Sequence, residues 1–436
     1  MEIRPFRAFR YDPGVVGDAG SCMAPPFDVI GPKQQEQLYQ KSPYNIVRII
    51  KGRTKPSDNS QENQYTRAAQ YLNGWTKDGV LKQDRKATIY GYVQDFELMG
   101  TALRRLNFIA LAKLEDFGKI VRPHEQILDA PMIDRLKLKK ATGARFGLVF
   151  MLYEDKENVA ERAIESAAEQ EPLIDFVNDD NIRHRLFAIT SRENIDAITQ
   201  MMSDKSCIIA DGHHRYTTGL NYYKQSSDPA ARYQMLAFTN VCQDGLKILA
   251  THRLVGNVDN FDTEALLTSL GENFEIIRYP FSAPGTKTQA ETKMLAQLKT
   301  KHDSNENAFG IYAGNNCFYV AALKDKRAMD SAVPDKSPAW RALDAAVLQK
   351  LVLEKILHID QEKLTKGKNV QYVKDAPDAI DASLARIDAG EQQVVFFMNP
   401  VKMQQLKMVT DEGERMPPKS TYFYPKMYTG LTIQEL

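Results

Sequence analysis

Residues Ile208 to Tyr216 read Ile-Ile-Ala-Asp-Gly-His-His-Arg-Tyr, which puts a carboxylate, two imidazoles and a guanidinium at the exit of a short apolar run. Ile208, Ile209 and Ala210 have the character of a buried strand, Gly212 permits a tight turn, and a helix is expected over Tyr216 to Lys224. Such a turn faces a helix N-terminus, where unpaired amides and the positive end of the dipole favour an anion. Gly212, His213, His214 and Arg215 are therefore candidate phosphate-binding residues, with donors suited to phosphate oxygens. Asp211 is the candidate catalytic carboxylate. It is also the candidate magnesium contact, through water beside a nucleotide, because that ion needs few carboxylate ligands. The competing account is an ordinary strand-to-helix turn whose polar residues cap the backbone. Two adjacent His residues, a preceding Asp-Gly and a following Arg at one place favour function.

A second cluster is Arg122-Pro-His124-Glu125, where Pro123 predicts a turn opening a helix. A carboxylate there can accept a proton from an alcohol, so Glu125 is the candidate base, with Arg122 or Arg135 able to hold a charged substrate. The competing account makes Glu125 and Asp134 solvated acids on a helix surface. Near the far end, Met416 to Lys426 gathers Lys419, Ser420, Thr421, three aromatic residues and Lys426 between prolines. A stiff loop of this kind either closes over a ligand or docks the last residues onto the core. The familiar nucleotide motifs are missing. Neither Gly285 to Thr288 nor Lys419 to Thr421 has P-loop glycines, and Gly14, Gly17 and Gly20 have the wrong spacing for a dinucleotide fingerprint. Leu128 stands where a zinc-protease helix needs its second His, and adjacent His213 and His214 diverge, without a Cys or spaced His to complete a tetrahedral site.

The elements that must position these residues are legible in part. Tyr65 to Asp78 has helical spacing, Ala87 to Leu98 and Leu106 to Leu114 form an expected hairpin around Met99-Gly100-Thr101, and Phe146 to Tyr153 reads as β. Val159 to Glu169 reads as a helix, His184 to Thr190 as a strand, and Ser191 as the N-cap of a helix ending near Met202. Ala24 to Ile30 and Ser42 to Arg48 look like loops feeding short strands. After Tyr233 to Asn240 and Leu246 to Thr251 the pattern changes to alternating helices and strands, which predicts a boundary near residue 250. In the second half, helices are expected over Thr263 to Leu270, Gln289 to Lys301 and Trp340 to Leu357, strands over Phe274 to Tyr279, Ala308 to Tyr312, Phe318 to Leu323 and Val394 to Met398, and Pro400 as a first helical residue.

The 436 residues, 43% hydrophobic, suffice for two linked cores. With 57 basic and 56 acidic side chains there is no global field to attract nucleic acid or an anionic membrane. Cys22, Cys207, Cys242 and Cys317 lack any Cys-x-x-Cys spacing, and the N-terminus lacks an apolar signal core, so a cytoplasmic location is expected.

These segments together resemble a widespread bacterial and archaeal domain-of-unknown-function family marked by Pro-Pro-Tyr-Asp-Val-Ile, Pro-His-Glu and Ala-Asp-Gly-His-His-Arg-Tyr. The matching positions are Pro25 to Ile30, Pro43 to Arg48, Pro123 to Gln126, Asp134-Arg135, Ala210 to Tyr216, Thr251 to Arg253 and Pro418 to Lys426. Phe27 replaces the family's usual Tyr, and Ile127 stands where Thr is common. The Asp-Gly-His-His-Arg segment is also similar to the signature of free serine kinases of the ParB and sulfiredoxin-like superfamily. That resemblance implies an α+β fold with a ParB/sulfiredoxin-like nucleotide-binding core in residues 1–250, and an α+β domain in residues 251–436 closing on it. It implies ATP or ADP as phosphate donor, magnesium, and a small hydroxy amino acid such as L-serine as acceptor, with O-phosphoserine as product. Phosphate would lie against His213, His214 and Arg215, Asp211 would orient the hydroxyl or the metal, and Glu125 would take the proton. Asn45, Arg48, Arg122 and His124 are the expected substrate contacts. Lys419, Ser420, Thr421 and Lys426 form the expected closing loop. The alternative is a nucleotide-binding regulator that binds partners without transferase activity. Oligomeric state is left open, a homo-oligomer included.

Overall fold

A hairpin of Ile89–Leu98 and Thr101–Lys113 lies in the middle of the larger sheet, and its two-residue turn is set by sequence. Met99 and Gly100 both take positive φ, which matches the right-handed twist of the paired strands. The computed structural model describes residues 1–126, 129–376 and 378–436, and the side chains of these except residues 129–131, 365 and 366. Ile127 and Leu128 lie outside the described residues.

The chain divides into two compact units: Met1–Pro123 with Ile127–Lys247 and Pro425–Leu436, and His124–Gln126 with Ile248–Tyr424. A single cut at residue 250 therefore separates residues 425–436 from the unit they pack into. Among the described residues, the first unit carries a nine-stranded mixed sheet. Its order runs Val121–Pro123, Cys207–Asp211, Val149–Tyr153, Tyr233–Asn240, Thr101–Lys113, Ile89–Leu98, Arg183–Ile189, Ile174–Val177, with Ile3–Arg4 added beside Thr101–Lys113. Cys207–Asp211 is parallel to Val121–Pro123 and antiparallel to Val149–Tyr153. Helices Val159–Ala167 and Arg192–Met202 cover a core that includes Val93, Phe108, Ile164, Phe187, Ile198 and Phe238. Ser191 caps the second of these helices by accepting from the Asn194 amide.

In the second unit six antiparallel strands run in the order Phe274–Pro280, Cys317–Leu323, Ala308–Tyr312, Val394–Phe397, Thr251–Val255, Val370–Lys374. Helix Pro284–Asp303 buries Met294 and Leu298 against Phe318, Val320 and Phe397. The molecule is thus mixed α/β with one large mixed sheet.

Five local expectations give way. Ala24 to Ile30 and Ser42 to Arg48 lead into helices Pro32–Lys41 and Val47–Ile50 rather than strands, because Pro32 opens the first as an N-terminal proline and Asn45 turns the second. Pro123 ends a strand instead of opening a helix. The stretch from Trp340 to Leu357 breaks into Pro338–Arg341, Asp344–Val347 and a wider π-type turn Leu348–Glu354. Pro400 precedes helix Met403–Asp411, whose N-cap is Lys402.

Candidate functional site

The strand Cys207–Asp211 is buried over its first four residues and delivers Asp211 to its end. Between Ile209 and Asp211 its register against Val149–Tyr153 shifts, a bulge that re-aims the last side chain. Gly212 follows at φ +91, a left-handed conformation that L side chains rarely adopt. A Cβ there would also stand 3.0 Å from the Arg215 guanidinium carbon. The helix then runs His213–Gln225, so both His residues lie inside its first turn, three residues earlier than the apolar spacing indicates. Tyr216, fully buried, fixes this turn by donating to the Glu115 carbonyl at 2.9 Å and accepting from the Glu115 amide at 3.0 Å.

Asp211 is clasped from two sides: Lys426 Nζ lies 2.7 Å from Oδ2 and Arg215 Nη2 3.3 Å from Oδ1. Burial alone would raise this carboxyl, but Lys426, Arg215 and, more weakly, His213 outweigh it and hold it well below the usual carboxylate range. Asp211 is therefore an ionised acceptor that aligns two cations, and a weak base. Arg215 also donates to the Leu148 carbonyl, in space left open by Gly147 and Gly212. His213 is buried and His214 half-buried on the same turn. Lys426 is held from behind: Arg105, fully buried, donates to the Pro425 carbonyl at 2.5 Å, and Gln94 donates to the Lys426 carbonyl at 3.0 Å.

The other expected contacts fall elsewhere. Asn45 is fully buried; it donates to the Ser21 and Met23 carbonyls at 2.7 and 2.9 Å and accepts from the Val47 amide. It staples a loop. Arg48 donates to the Tyr39 carbonyl at 2.8 Å and stacks over the Tyr39 ring. Arg122 donates to Ser206 Oγ at 3.1 Å. In the second unit His124 is buried, with Nε2 2.8 Å from Thr421 Oγ1 and its ring edge-on to Phe423. Glu125 accepts from the Lys419 amide at 3.3 Å, with Lys419 Nζ 3.8 Å away, and Ser420 donates to the Pro417 carbonyl. Asp211, Arg215 and Lys426 thus meet within the first unit, and His124, Glu125, Lys419 and Thr421 meet within the second.

The residues that sequence reasoning passed over are Lys139 and Arg145, which line a cavity with Arg135 and Arg215. In the sequence they look like the ordinary charges of Lys-Leu-Lys-Lys and Ala-Arg-Phe, and no local signal marks them as buried. Phe27, the position that departs from the family's tyrosine, carries the Arg135 guanidinium 3.8 Å above its ring, a role that needs the aromatic face and not a hydroxyl.

Both Asp211 oxygens are engaged by cations, and among the described residues no three His, Cys, Asp or Glu side chains come together as a metal site. No described helix is long and apolar enough to cross a membrane.

A family model described as a protein of unknown function (DUF1015) matches residues 3–346. No curated protein matches the chain. Among solved structures, a free serine kinase variant in complex with AMP aligns at 12% identity and TM-score 0.37, covering 72% of this chain and 87% of its own. A conserved hypothetical protein from Pyrococcus furiosus aligns at 13% and 0.36, covering 75% and 94%. SbnI with a C-terminal truncation, from Staphylococcus aureus, aligns at 10% and 0.33, covering 73% and 84%.

Proposed function

This chain belongs to the DUF1015 family, and we propose that it is a small-molecule kinase whose first unit is a ParB/sulfiredoxin-like nucleotide-binding core. In this reading it transfers the terminal phosphate of ATP or ADP to the hydroxyl of free L-serine or a similar hydroxy amino acid. The observation that carries the reading is the turn Asp211 to Arg215, where a helix N-terminus, two His residues, Arg215 and Lys426 surround one ionised carboxylate. Phosphoryl transfer asks for such a charged, pre-positioned cradle more than for an unusual nucleophile. The nucleotide supplies the transferable group. First-turn amides, His213, His214 and Arg215 receive its phosphate oxygens, and Asp211 keeps Arg215 and Lys426 aimed. The acceptor oxygen forms a bond to phosphorus as the bond to the donor's bridging oxygen breaks, and the hydroxyl proton passes to a carboxylate base, the role for which Glu125 is the candidate. Asn45 and Arg48 are committed to loop contacts, and Arg122 in the first unit is the candidate grip on the amino-acid carboxylate.

Incubating the full chain with ATP or ADP, magnesium chloride and serine is expected to yield O-phosphoserine. Asp211→Asn and Glu125→Gln are each expected to cut turnover at least 100-fold while remaining folded by circular dichroism. No product with any common nucleotide and hydroxy amino acid would sink the kinase reading, and near-normal turnover in either variant would void that residue's role. One observation favours the second reading, a nucleotide-binding regulator: both Asp211 oxygens are engaged by cations, leaving the turn better equipped to hold an anion than to activate a hydroxyl. Tight nucleotide binding without transfer would select it.

A further inference from the structure

The cavity in the first unit lies beside the Asp211 turn and has an unusual wall. It encloses about 70 Å³ and is lined by Arg135, Lys139, Arg145 and Arg215, with no carboxylate among its lining residues. The rest of the wall is largely apolar, with Phe27 and Phe146 among its members.

Each cation is held differently. Arg135 donates to the Ile50 carbonyl at 2.8 Å and is paired with Asp134, while Arg215 is paired with Asp211. Arg145 is 3% exposed, and among the described residues its guanidinium donates to neutral acceptors: Gln234 at 3.1 Å, Gln434, and the Ala230 and Ala231 carbonyls at 3.3 and 3.4 Å. Lys139 is the outlier. It is 6% exposed, and its Nζ has no hydrogen-bond partner among the described residues. Its Nζ lies over the face of Tyr222, 4.8 Å from the ring centre.

The fold keeps this amine inside. Helix Asp129–Thr142 packs on helix His213–Gln225, where Thr218 and Asn221 both contact Met132, and Lys139 lies about two turns further along under Tyr222. A buried amine with no acceptor among the described residues, beside a guanidinium whose hydrogen bonds go to no carboxylate, is costly unless a ligand supplies the negative charge.

We propose that this cavity binds a phosphoryl dianion, the phosphate end of a phosphate monoester, seated on Lys139 and Arg145 with Arg135 and Arg215 at its flanks. The inference stands without transfer chemistry. A protein that binds phosphate here and never makes O-phosphoserine satisfies it, so its failure and the failure of the kinase reading are separate results.

The amine gives the site a proton-linked signature. Burial, and after it the neighbouring Arg145, push Lys139 down to about 6. Arg145, Arg215 and Arg135 line the cavity with it and Tyr222 faces it, while the neighbouring acids Asp134, Asp211 and Asp228 act on Arg135, Arg215 and Arg145 in turn. Above pH 6 the amine is therefore mostly neutral, and a dianion brought alongside makes it take up a proton. Affinity is expected to fall roughly tenfold per pH unit above about pH 7, with close to one proton taken up per ligand near pH 8.

The test is titration calorimetry on the full chain at pH 7 and 8, in two buffers of different ionisation heat, with inorganic phosphate, O-phosphoserine and AMP as separate probes. The expected result is binding with proton uptake, and a loss of at least tenfold in affinity, with no uptake, in Lys139→Met. Whichever probe binds tightest identifies the source of the phosphoryl group: the free ion, a phosphorylated small metabolite or a nucleotide. The proposal is overturned if none of the three binds the wild-type protein, if binding occurs without proton uptake, or if Lys139→Met binds with unchanged affinity and pH slope.

Discussion

Lys139 in the first unit and Asp344 in the second are both driven toward pH 6 by burial, from opposite sides. Asp344 stands in the wall of a cleft of about 280 Å³ and accepts a 2.7 Å hydrogen bond from Asn307, whose amide also donates to the Ala342 carbonyl. Burial raises the Asp344 carboxyl to about 6, with Asn307, Asn399 and Lys402 pulling the other way. Lys139 is shifted by burial in the same manner and has no such partner among the described residues. The difference separates two uses of an interior polar group. Asp344 is satisfied by its own fold and ties a helix start to a strand; Lys139 is left unsatisfied beside a cavity, as binding groups are.

The largest effect expected within the first unit comes from removing the one carboxylate between two of its cations. Asp211→Ala leaves Lys426 and Arg215 without their shared partner and is expected to cost about 3–5 kcal/mol of stability by denaturant unfolding. A loss below about 1 kcal/mol would show the clasp to be a surface pair of little weight.

Lys139→Met tests the comparison directly. The ordinary lysine value of 10.5 lies above the folded value of about 6, so between them the unfolded chain holds the extra proton and stability rises with pH. The wild-type protein is expected to gain up to about 1.4 kcal/mol per pH unit from this group between pH 7 and 9. Lys139→Met should lose that slope and be more stable at pH 7, and an unchanged slope would mean that Lys139 stays charged in the fold.

Asp344→Asn is the smallest and has the opposite sign. The ordinary Asp value of 3.8 lies below the folded value of about 6, so the folded chain holds the extra proton, and stability falls as pH rises through 6. The variant should flatten that fall while changing stability at pH 5 by only about 1 kcal/mol, as read from melting temperatures across pH 4 to 7. If both variants shift the pH profile in the same direction, the contrast between the units is wrong.

Local chemistry made part of this legible. The strand, glycine and helix around Asp211 follow from short-range rules, as do the Met99-Gly100 turn and the Ser191 cap. The partner of Asp211 was harder to read. Lys426 sits in a loop whose chemistry fits docking as well as closure, and only the Arg105 and Gln94 anchors bring it to the turn. Lys139 and Arg145 were illegible for a different reason. Which face of a Lys-rich helix is buried depends on its neighbour, and that neighbour lies more than seventy residues further along. Asn45 shows the reverse error: a polar residue in a motif looked available, and the fold had already used all of its hydrogen bonds.

Lys426 also gives assembly of this protein an order in time. Residues 1–247 emerge from the ribosome before the stretch 248–424, so Asp211 meets Arg215 long before its second cation exists. At ~5–20 residues per second the wait is on the order of 10–35 s. For that interval Arg105 and Gln94 have no Pro425 or Lys426 carbonyl to bind. Residues 425–436 then supply these carbonyls and the second cation of Asp211, after the whole intervening unit has been synthesised.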